Sequence, residues 1–211
     1  MNDDLLKRGL EALSLPADGP LFSGLSRYGA AIEDWNPAYG LVGAEGDELV
    51  VKHLLDSLAP LAEIRAHLAV DLDAAVALSQ AVLGDMMLAG YGRLVAVGSL
   101  AARTGVAGGV AYATAKAGLE GLMRGIALDY GRRGITANVV AVSFAETERL
   151  TGRIAGDAAH RERLERATAL RRLPTPDEIA DPIVFLCSPR AAAITGAVLD
   201  ATAGAHLNTH W

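Results

Sequence analysis

The stretch SLAARTGVAGGVAYATAK, residues 99–116, decides the fold of this chain. The apolar run at 93–98 just before it predicts a buried strand that ends at Ser99, and apolar residues recur at helical spacing from 119 to 130 just after it. Tyr112 and Lys116 therefore fall near the start of a long helix. Residues four apart share one helix face, so we expect the Lys116 ammonium to lie beside the Tyr112 phenol.

These three residue types favour acid–base chemistry on a carbonyl or an alcohol. A nearby positive charge favours the ionised form of a phenol, and a serine hydroxyl can hold a carbonyl oxygen while the tyrosine gives or takes a proton. A Tyr-x-x-x-Lys spacing alone is common and is typical of a surface pair. Ser99 lies thirteen residues before Tyr112 at a predicted strand end, and this makes the combination far more specific.

Ser99, Tyr112 and Lys116 in this arrangement resemble the short-chain dehydrogenase/reductase family, especially its 3-oxoacyl-(acyl carrier protein) reductase branch. The resemblance extends over about residues 70–211 and includes ITANVVA at 135–141, LPTPDEIA at 173–180 and ITGAVLD at 194–200. It implies that Tyr112 is the general acid/base, that Lys116 assists its ionisation and holds the nicotinamide ribose, and that Ser99 orients the carbonyl. It also implies NADP or NAD as the cofactor.

Two more positions follow from the same resemblance. Thr147 matches a threonine that touches the nicotinamide amide, and a helix-capping role is the open alternative. Asp71 matches an asparagine that organises a water in the family's proton relay. We interpret Asp71 as a residue at the junction before a helix, with a catalytic role as the alternative, because a carboxylate adds charge and lacks the amide donors.

The sequence before residue 70 departs from that family. The family opens with a strand and a Gly-rich loop that cradles the cofactor pyrophosphate at a helix N-terminus. Neither GLVGAEG at 40–46 nor the glycines at 90–92 have that spacing and context, so the resemblance leaves dinucleotide binding in doubt. Residues 1 to about 68 instead resemble the N-terminal part of the glucose-inhibited division protein B family, through WNPAYGL at 35–41 and ELVVKHLLDSL at 48–58.

We therefore predict an α/β fold in which a helical N-terminal segment, 1–68, precedes a short-chain dehydrogenase/reductase-like part, 69–211; one compact unit is an alternative. The second part contains a truncated Rossmann-like parallel sheet with flanking helices. Strands are expected near 93–98, 135–141 and 196–200, with a candidate fourth near 68–72. Helices are expected at 3–15, 21–35, 47–58 and 73–89, with breaks at Asn36–Gly40 and at Pro60.

The composition limits the cellular locations and the binding partners that we expect for this protein. The net charge is −6 and no long basic run is present, which argues against a dedicated nucleic-acid binder. The single cysteine excludes an internal disulfide, and Cys187 lies in an apolar helical pattern that predicts a buried thiol. We find no apolar run of membrane-spanning length and no secretory signal, so we expect a cytoplasmic protein.

Other polar clusters favour simpler interpretations. His53, Asp56 and Ser57 lie within one helical turn, where they cannot easily form a nucleophile–base line, so a polar helix face is expected. His206 and His210 lack a third ligand, and we predict no metal site there.

The leading functional prediction is an NAD(P)-dependent oxidoreductase acting on a carbonyl/alcohol pair, of the 3-oxoacyl type, with impaired or absent dinucleotide binding. Its substrate would be a small molecule or an acyl-carrier thioester, and the family resemblance implies a homo-oligomer. Three alternatives stay open: a cofactor-independent isomerase or dehydratase that uses the same trio, a non-catalytic hybrid or partner subunit, and, least favoured, a ribosomal RNA guanine methyltransferase that uses S-adenosylmethionine.

Overall fold

The computed structural model describes residues 2–207, apart from the side chains of 59–62. Internal packing divides the chain into two units, Met1–Ala66 and His67–Trp211. Because each unit has hydrophobic clusters of its own, we describe the two in turn.

Within residues 2–66 the first unit consists of helices joined by short turns and contains no strand, as the sequence predicts. Asn2 begins the first helix by accepting a hydrogen bond from the Leu5 backbone N–H at 3.1 Å. The apolar residues of this first helix recur at helical spacing. They pack against apolar residues of the segment 50–54, in a core that contains Leu6, Leu10, Leu15, Val50 and Leu54. The elements are α1 (Asp3–Ala12), α2 (Gly19–Tyr39), α3 (Gly46–Leu49), a π-helical segment (Val50–Leu55) and α4 (Asp56–His67).

Two predicted breaks in this unit are wrong. Helix α2 continues through Pro37 to Tyr39 and ends only where Gly40 adopts a left-handed conformation at φ 57°. Helix α4 likewise runs through Pro60. A proline removes one backbone donor and disfavours a helix locally, but a long helix that is packed on its neighbours tolerates this cost.

The candidate fourth strand is also wrong. Residues Leu68–Asp73 form a π-helical segment that continues α4 and leads directly into α5 (Ala74–Ala89). Val70 and Leu72, with Asp71 between them, are too short a pattern to specify a strand, and the helical pattern on the C-terminal side prevails.

The helical run Gly46–Ala89 is, by length and composition alone, able to cross a membrane. Its most apolar window has a mean hydropathy of 1.4, and 11% of that window is buried. This result runs against our expectation that no such run exists. It is weak evidence for a membrane location, because a core helix of a soluble protein passes the same test.

As the sequence predicts, the second unit is built on a parallel sheet of three strands: β1 (Gly92–Ser99), β2 (Ile135–Val142) and β3 (Val198–Ala201). The strands lie side by side in that order. The register pairs Val95 with Asn138 and Ser99 with Val142. The connection from β1 to β2 contains α6 (Ala101–Thr104) and α7 (Val110–Tyr130). The connection from β2 to β3 contains α8 (Glu148–Arg153), α9 (Ala158–Arg166) and α10 (Pro176–Cys187).

Successive residues of β2 point to opposite sides of the sheet, and helices pack against both sides. Val139 packs in a cluster with Leu83 of α5 and Met123 of α7. Val140 packs in a second cluster with Leu186 of α10. Because β2 is covered on both faces, seven of its eight residues are buried. The three layers confirm the predicted α/β class.

Helix α10 confirms one prediction and corrects another. Thr175 and Glu178 form a capping box at its start, as the TPDE sequence predicts. At its other end the Cys187 side chain is exposed, so the expected burial of this thiol is wrong. The last residue of a helix need not lie on its apolar face, and periodicity alone does not settle this position.

Gly134 permits the close approach of the chain at the start of β2. Its φ is +75°, and a Cβ built there would lie 2.3 Å from the Gly90 carbonyl oxygen. We therefore expect Gly134→Ala to destabilise the protein by about 3 kcal/mol. The substitution strains the backbone at a positive φ, and the new Cβ clashes with a backbone oxygen, which cannot move aside as a flexible side chain could. Urea unfolding measures this change. Gly131→Ala is the matched control, since a Cβ there meets nothing within 4 Å; equal stability losses in the two variants would contradict the expectation.

Candidate active site

Ser99 lies at the carboxyl end of β1, where the strand leads into α6. The Leu100 backbone N–H donates to the Val142 carbonyl at 2.8 Å, which closes the strand pairing just beyond it. Ser99 is 6% exposed, and its Oγ accepts a hydrogen bond from the Ala101 backbone N–H at 3.2 Å. The hydroxyl is therefore fixed at the end of the parallel sheet where open α/β folds bind ligands.

Tyr112 and Lys116 lie one turn apart near the N-terminus of α7. The Lys116 Nζ is 5.7 Å from the centre of the Tyr112 ring. It also donates a hydrogen bond to the Val97 carbonyl at 3.2 Å, which ties the lysine to β1 two residues before Ser99. Within residues 2–207, no hydrogen bond joins the Tyr112 hydroxyl to Ser99 or to Lys116. The trio therefore occupies neighbouring elements of the site, with the Tyr112 hydroxyl open to other partners.

Asp71 is in direct contact with this group, on the segment where the sequence predicts a junction. Its Oδ1 lies 3.0 Å from Lys116 Nζ, and its Oδ2 lies 3.3 Å from Nδ1 of His67. Partial burial alone would raise the pKa of Asp71, but hydrogen bonds with Lys116 and His67 outweigh it and hold that pKa below its ordinary value. Asp71 is therefore a carboxylate at neutral pH.

His67 completes the cluster, and our sequence analysis did not single it out. Its ring meets the Tyr112 ring edge-on, with the ring centres 5.9 Å apart. The spacing of four residues between His67 and Asp71 is the local signal for this pair on a helix. Its contact with Tyr112 depends on how the helical segment packs against α7, and no local pattern predicts that.

Thr147 is the N-cap of α8. Its Oγ1 accepts a hydrogen bond from the Leu150 backbone N–H at 3.3 Å. Of the two roles expected for Thr147, the structure contains the helix cap; the contact with a nicotinamide amide stays a prediction.

A second charged cluster, also missed from the sequence, involves α6, the short helix that follows Ser99 in the chain. Arg103 of α6 forms an ion pair with Asp200 of β3. The Arg103 Nε is also 3.6 Å from Oε1 of Glu120, and Glu120 is 6% exposed. The pairing with Asp200 raises the pKa of Arg103 above its usual value, despite an opposing effect of burial. The cluster links α6 to α7 and β3, and so holds in place the turn that follows Ser99.

The remaining polar clusters behave as simple surface features. The Ser57 hydroxyl donates to the His53 carbonyl at 2.6 Å, as on an ordinary polar helix face. His206 contacts Thr202 Oγ1 at 2.9 Å, whereas His210 lies outside the described residues.

The site residues fit one end of a nicotinamide dinucleotide. Lys116 carries a third N–H donor beyond the two used by Asp71 and Val97, and the Tyr112 hydroxyl is open; together they suit a ribose. The pyrophosphate end does not fit in the same way. Between residues 2 and 91 the structure contains no strand, and hence no strand–Gly loop–helix unit of the kind that holds a pyrophosphate.

Known proteins resemble this chain in sequence. Residues 39–206 match the family described as enoyl-(acyl carrier protein) reductase. The chain is 40% identical over 138 residues to the 3-oxoacyl-[acyl-carrier-protein] reductase of Pseudomonas aeruginosa, and 37% identical over 142 residues to that of Escherichia coli. Each match covers 65% of this chain and 55% of the relative, so the chain spans about half the length of the curated relatives it matches.

Solved structures show the same relationship. An oxidoreductase of the short-chain dehydrogenase/reductase family from Burkholderia thailandensis superposes with a TM-score of 0.64 at 35% identity, covering 67% of this chain and 55% of that one. A short-chain type dehydrogenase/reductase from Mycobacterium ulcerans gives a TM-score of 0.65 at 23% identity, covering 69% of this chain and 52% of that one; at this identity the likeness concerns the fold alone.

The family match begins at residue 39, upstream of the change of family that we predict near residue 70. The resemblance of residues 1–68 to the glucose-inhibited division protein B family stays a prediction. Because the family match covers most of the chain and agrees with the parallel sheet and with the placement of Ser99, Tyr112 and Lys116, this chain belongs to the short-chain dehydrogenase/reductase family.

Proposed function

We propose that this chain is an NAD(P)-dependent oxidoreductase that interconverts a 3-oxoacyl thioester and its 3-hydroxyacyl product. One observation carries the proposal: the Lys116 ammonium lies beside the Tyr112 ring and is tied to the strand that ends at Ser99. The curated relatives named as 3-oxoacyl-[acyl-carrier-protein] reductases favour an acyl-carrier thioester as the substrate.

In this proposal Ser99 donates a hydrogen bond to the substrate carbonyl oxygen and orients it. Tyr112 then delivers its phenolic proton to that oxygen, and the Lys116 ammonium stabilises the phenolate that remains. The bound cofactor supplies the hydride that the carbonyl carbon accepts. In the reverse direction the alcohol would give its hydroxyl proton to the Tyr112 phenolate and its hydride to the oxidised cofactor.

The same proposal includes weak dinucleotide binding. Backbone N–H groups at a helix N-terminus normally anchor the pyrophosphate, and no such loop precedes β1 within residues 2–91. Lys116 and Tyr112 are then the residues expected to hold the nicotinamide ribose. The cofactor is NADP or NAD, and its reduced form is the one needed for the reductive direction that the relatives' names give.

The test is to mix the purified full chain with NADPH and an acetoacetyl thioester. The loss of NADPH absorbance at 340 nm measures the rate, and the 3-hydroxy product is then identified. We expect turnover that requires both the nucleotide and the thioester. Conversion of the thioester without any nucleotide would instead favour the cofactor-independent isomerase or dehydratase. Absence of turnover at millimolar NADPH would overturn the proposal.

We also propose that the protein is a homo-oligomer that uses α5 and α7. Both helices carry large apolar side chains on the surface: Leu78 is 69% exposed and Leu128 is 83% exposed. Exposed leucines of this kind are favourable to bury against a second copy. Light scattering of the purified chain should give at least twice the monomer mass of 21.9 kDa, and Leu128→Glu should lower it, whereas a monomeric wild-type chain would contradict the proposal.

A further inference from the structure

The position of Asp71 relative to Lys116 is the feature of the site that its proposed chemistry does not explain. A lysine ammonium has three N–H donors. In this structure one points to Asp71 and another to the Val97 carbonyl, at 3.0 and 3.2 Å. Two of the three donors of the proposed catalytic lysine are therefore committed to the protein itself.

Both side chains of the Asp71–Lys116 ion pair are partly shielded from water. The side chains of Lys116 and Asp71 are 15% and 19% exposed. An ion pair with this exposure is screened less than one on the open surface, so it holds the two groups more firmly. His67, whose side chain is 36% exposed, contacts the other carboxylate oxygen of Asp71.

The backbone is shaped to make this contact. A Cβ at Gly118 would lie 2.7 Å from Cδ2 of Leu72, so the glycine lets the π-helical segment 68–73 lie close against α7. This close approach brings Asp71 within reach of Lys116, two residues earlier on α7.

We propose that Asp71, held by His67, is a positioning residue that restrains the Lys116 ammonium beside Tyr112 and, while the ion pair is closed, leaves only its third N–H donor for a ligand. Asp71 then competes within the protein for the group that would otherwise contact a ribose. The catalytic meaning of this restraint rests on the proposed function. The restraint itself does not, because it can be measured without substrate or cofactor.

The chain suits a direct measurement, because it has only three lysines, Lys7, Lys52 and Lys116. Brief treatment with acetic anhydride, followed by peptide mass spectrometry, gives the acetylation of Lys116 relative to Lys7 in the same molecule. We expect Asp71→Asn to raise the relative acetylation rate of Lys116 by about five-fold, which corresponds to the loss of one favourable, partly buried ion pair. His67→Gln should raise it by about two-fold, since the carboxylate remains but its contact with His67 is lost.

Two controls separate positioning from simple loss of structure. Asp73→Asn removes the same charge from the same segment, and within residues 2–207 no ion pair involves Asp73, so it should leave the rate unchanged. Asp71→Glu keeps the carboxylate and should return the rate to near the wild-type value. Equal rates for the Asp71→Asn and Asp73→Asn variants would overturn the proposal. A rise that comes with faster amide exchange throughout 110–130 would also overturn it, because Asp71 would then stabilise α7 and not restrain the lysine.

These results are independent of the reductase assay. If Lys116 is protected by Asp71 and no NADPH oxidation is found, the proposed function fails and the restraint stands. If NADPH oxidation is found and Asp71→Asn leaves Lys116 unchanged, the restraint fails and the function stands.

Discussion

Tyr112→Phe should lower kcat/KM for reduction of an acetoacetyl thioester by about 10²–10⁴-fold, the usual contribution of a positioned general acid. The variant removes the hydroxyl that donates the proton and keeps the aromatic ring that meets His67 edge-on. We therefore expect folding to be retained, with a circular dichroism spectrum and a thermal midpoint close to those of the wild-type chain. Steady-state kinetics at a fixed, millimolar NADPH concentration measure the loss.

Tyr130→Phe is the matched control, because it makes the same chemical change at the other end of α7. Tyr130 packs against the apolar cluster of Leu83 and Met123. It is the last residue of α7, whereas Lys116 lies near the start of that helix. We expect its kcat/KM to stay within about two-fold of the wild-type value. Full activity of the Tyr112→Phe variant would show that another group supplies the proton.

The second large effect concerns the cofactor. We expect the rate to rise almost linearly with NADPH up to about 1 mM, because the chain lacks a pyrophosphate-binding loop within residues 2–91. Each charge-assisted hydrogen bond to a phosphate contributes roughly 1.5–3 kcal/mol. Losing two of them weakens binding by about two to four decades, at about 1.4 kcal/mol per decade. Kinetics at varied NADPH concentrations measure this effect.

Lys116→Met tests what anchoring remains. It removes the ammonium and keeps a side chain of similar length, so we expect the rate at 1 mM NADPH to fall by at least about ten-fold. Lys52→Met is the control, since Lys52 pairs with Glu48 on an exposed helix surface. Saturation of the wild-type chain at micromolar NADPH would show that another part of the protein binds the pyrophosphate.

The parallel sheet was predicted from the family resemblance, and a local pattern adds to that prediction at the first strand. Residues 93–98 are mostly apolar and follow a glycine break at 90–92, as is typical of a strand. The capping box at Thr175 is equally local, because all its hydrogen bonds lie within one turn of helix.

The errors came from positions where packing outweighs a local signal. Pro37 and Pro60 are helix breakers by propensity, yet both lie inside helices. Leu68–Asp73 has the composition of a short strand end, but it continues a helix on both sides. The exposure of Cys187 depends on the side of α10 that faces the sheet at its last turn.

The site was predictable in part for the same reason. Tyr112 and Lys116 are neighbours through helix geometry, which the sequence displays directly. The contact between Asp71 and Lys116 joins residues forty-five apart and depends on the close packing at Gly118. The contact of Arg103 with Asp200 depends on the order of the strands, and no local pattern contains it.

The most direct test is a calorimetric titration of the purified full chain with NADPH, NADH and S-adenosylmethionine, each up to millimolar concentration. We expect weak binding of NADPH, with a dissociation constant near or above about 1 mM, and no heat from S-adenosylmethionine. The Lys116→Met variant should lose the NADPH signal. A micromolar dissociation constant for either nucleotide would contradict weak binding and indicate an ordinary dehydrogenase site, and binding of S-adenosylmethionine alone would contradict the oxidoreductase assignment.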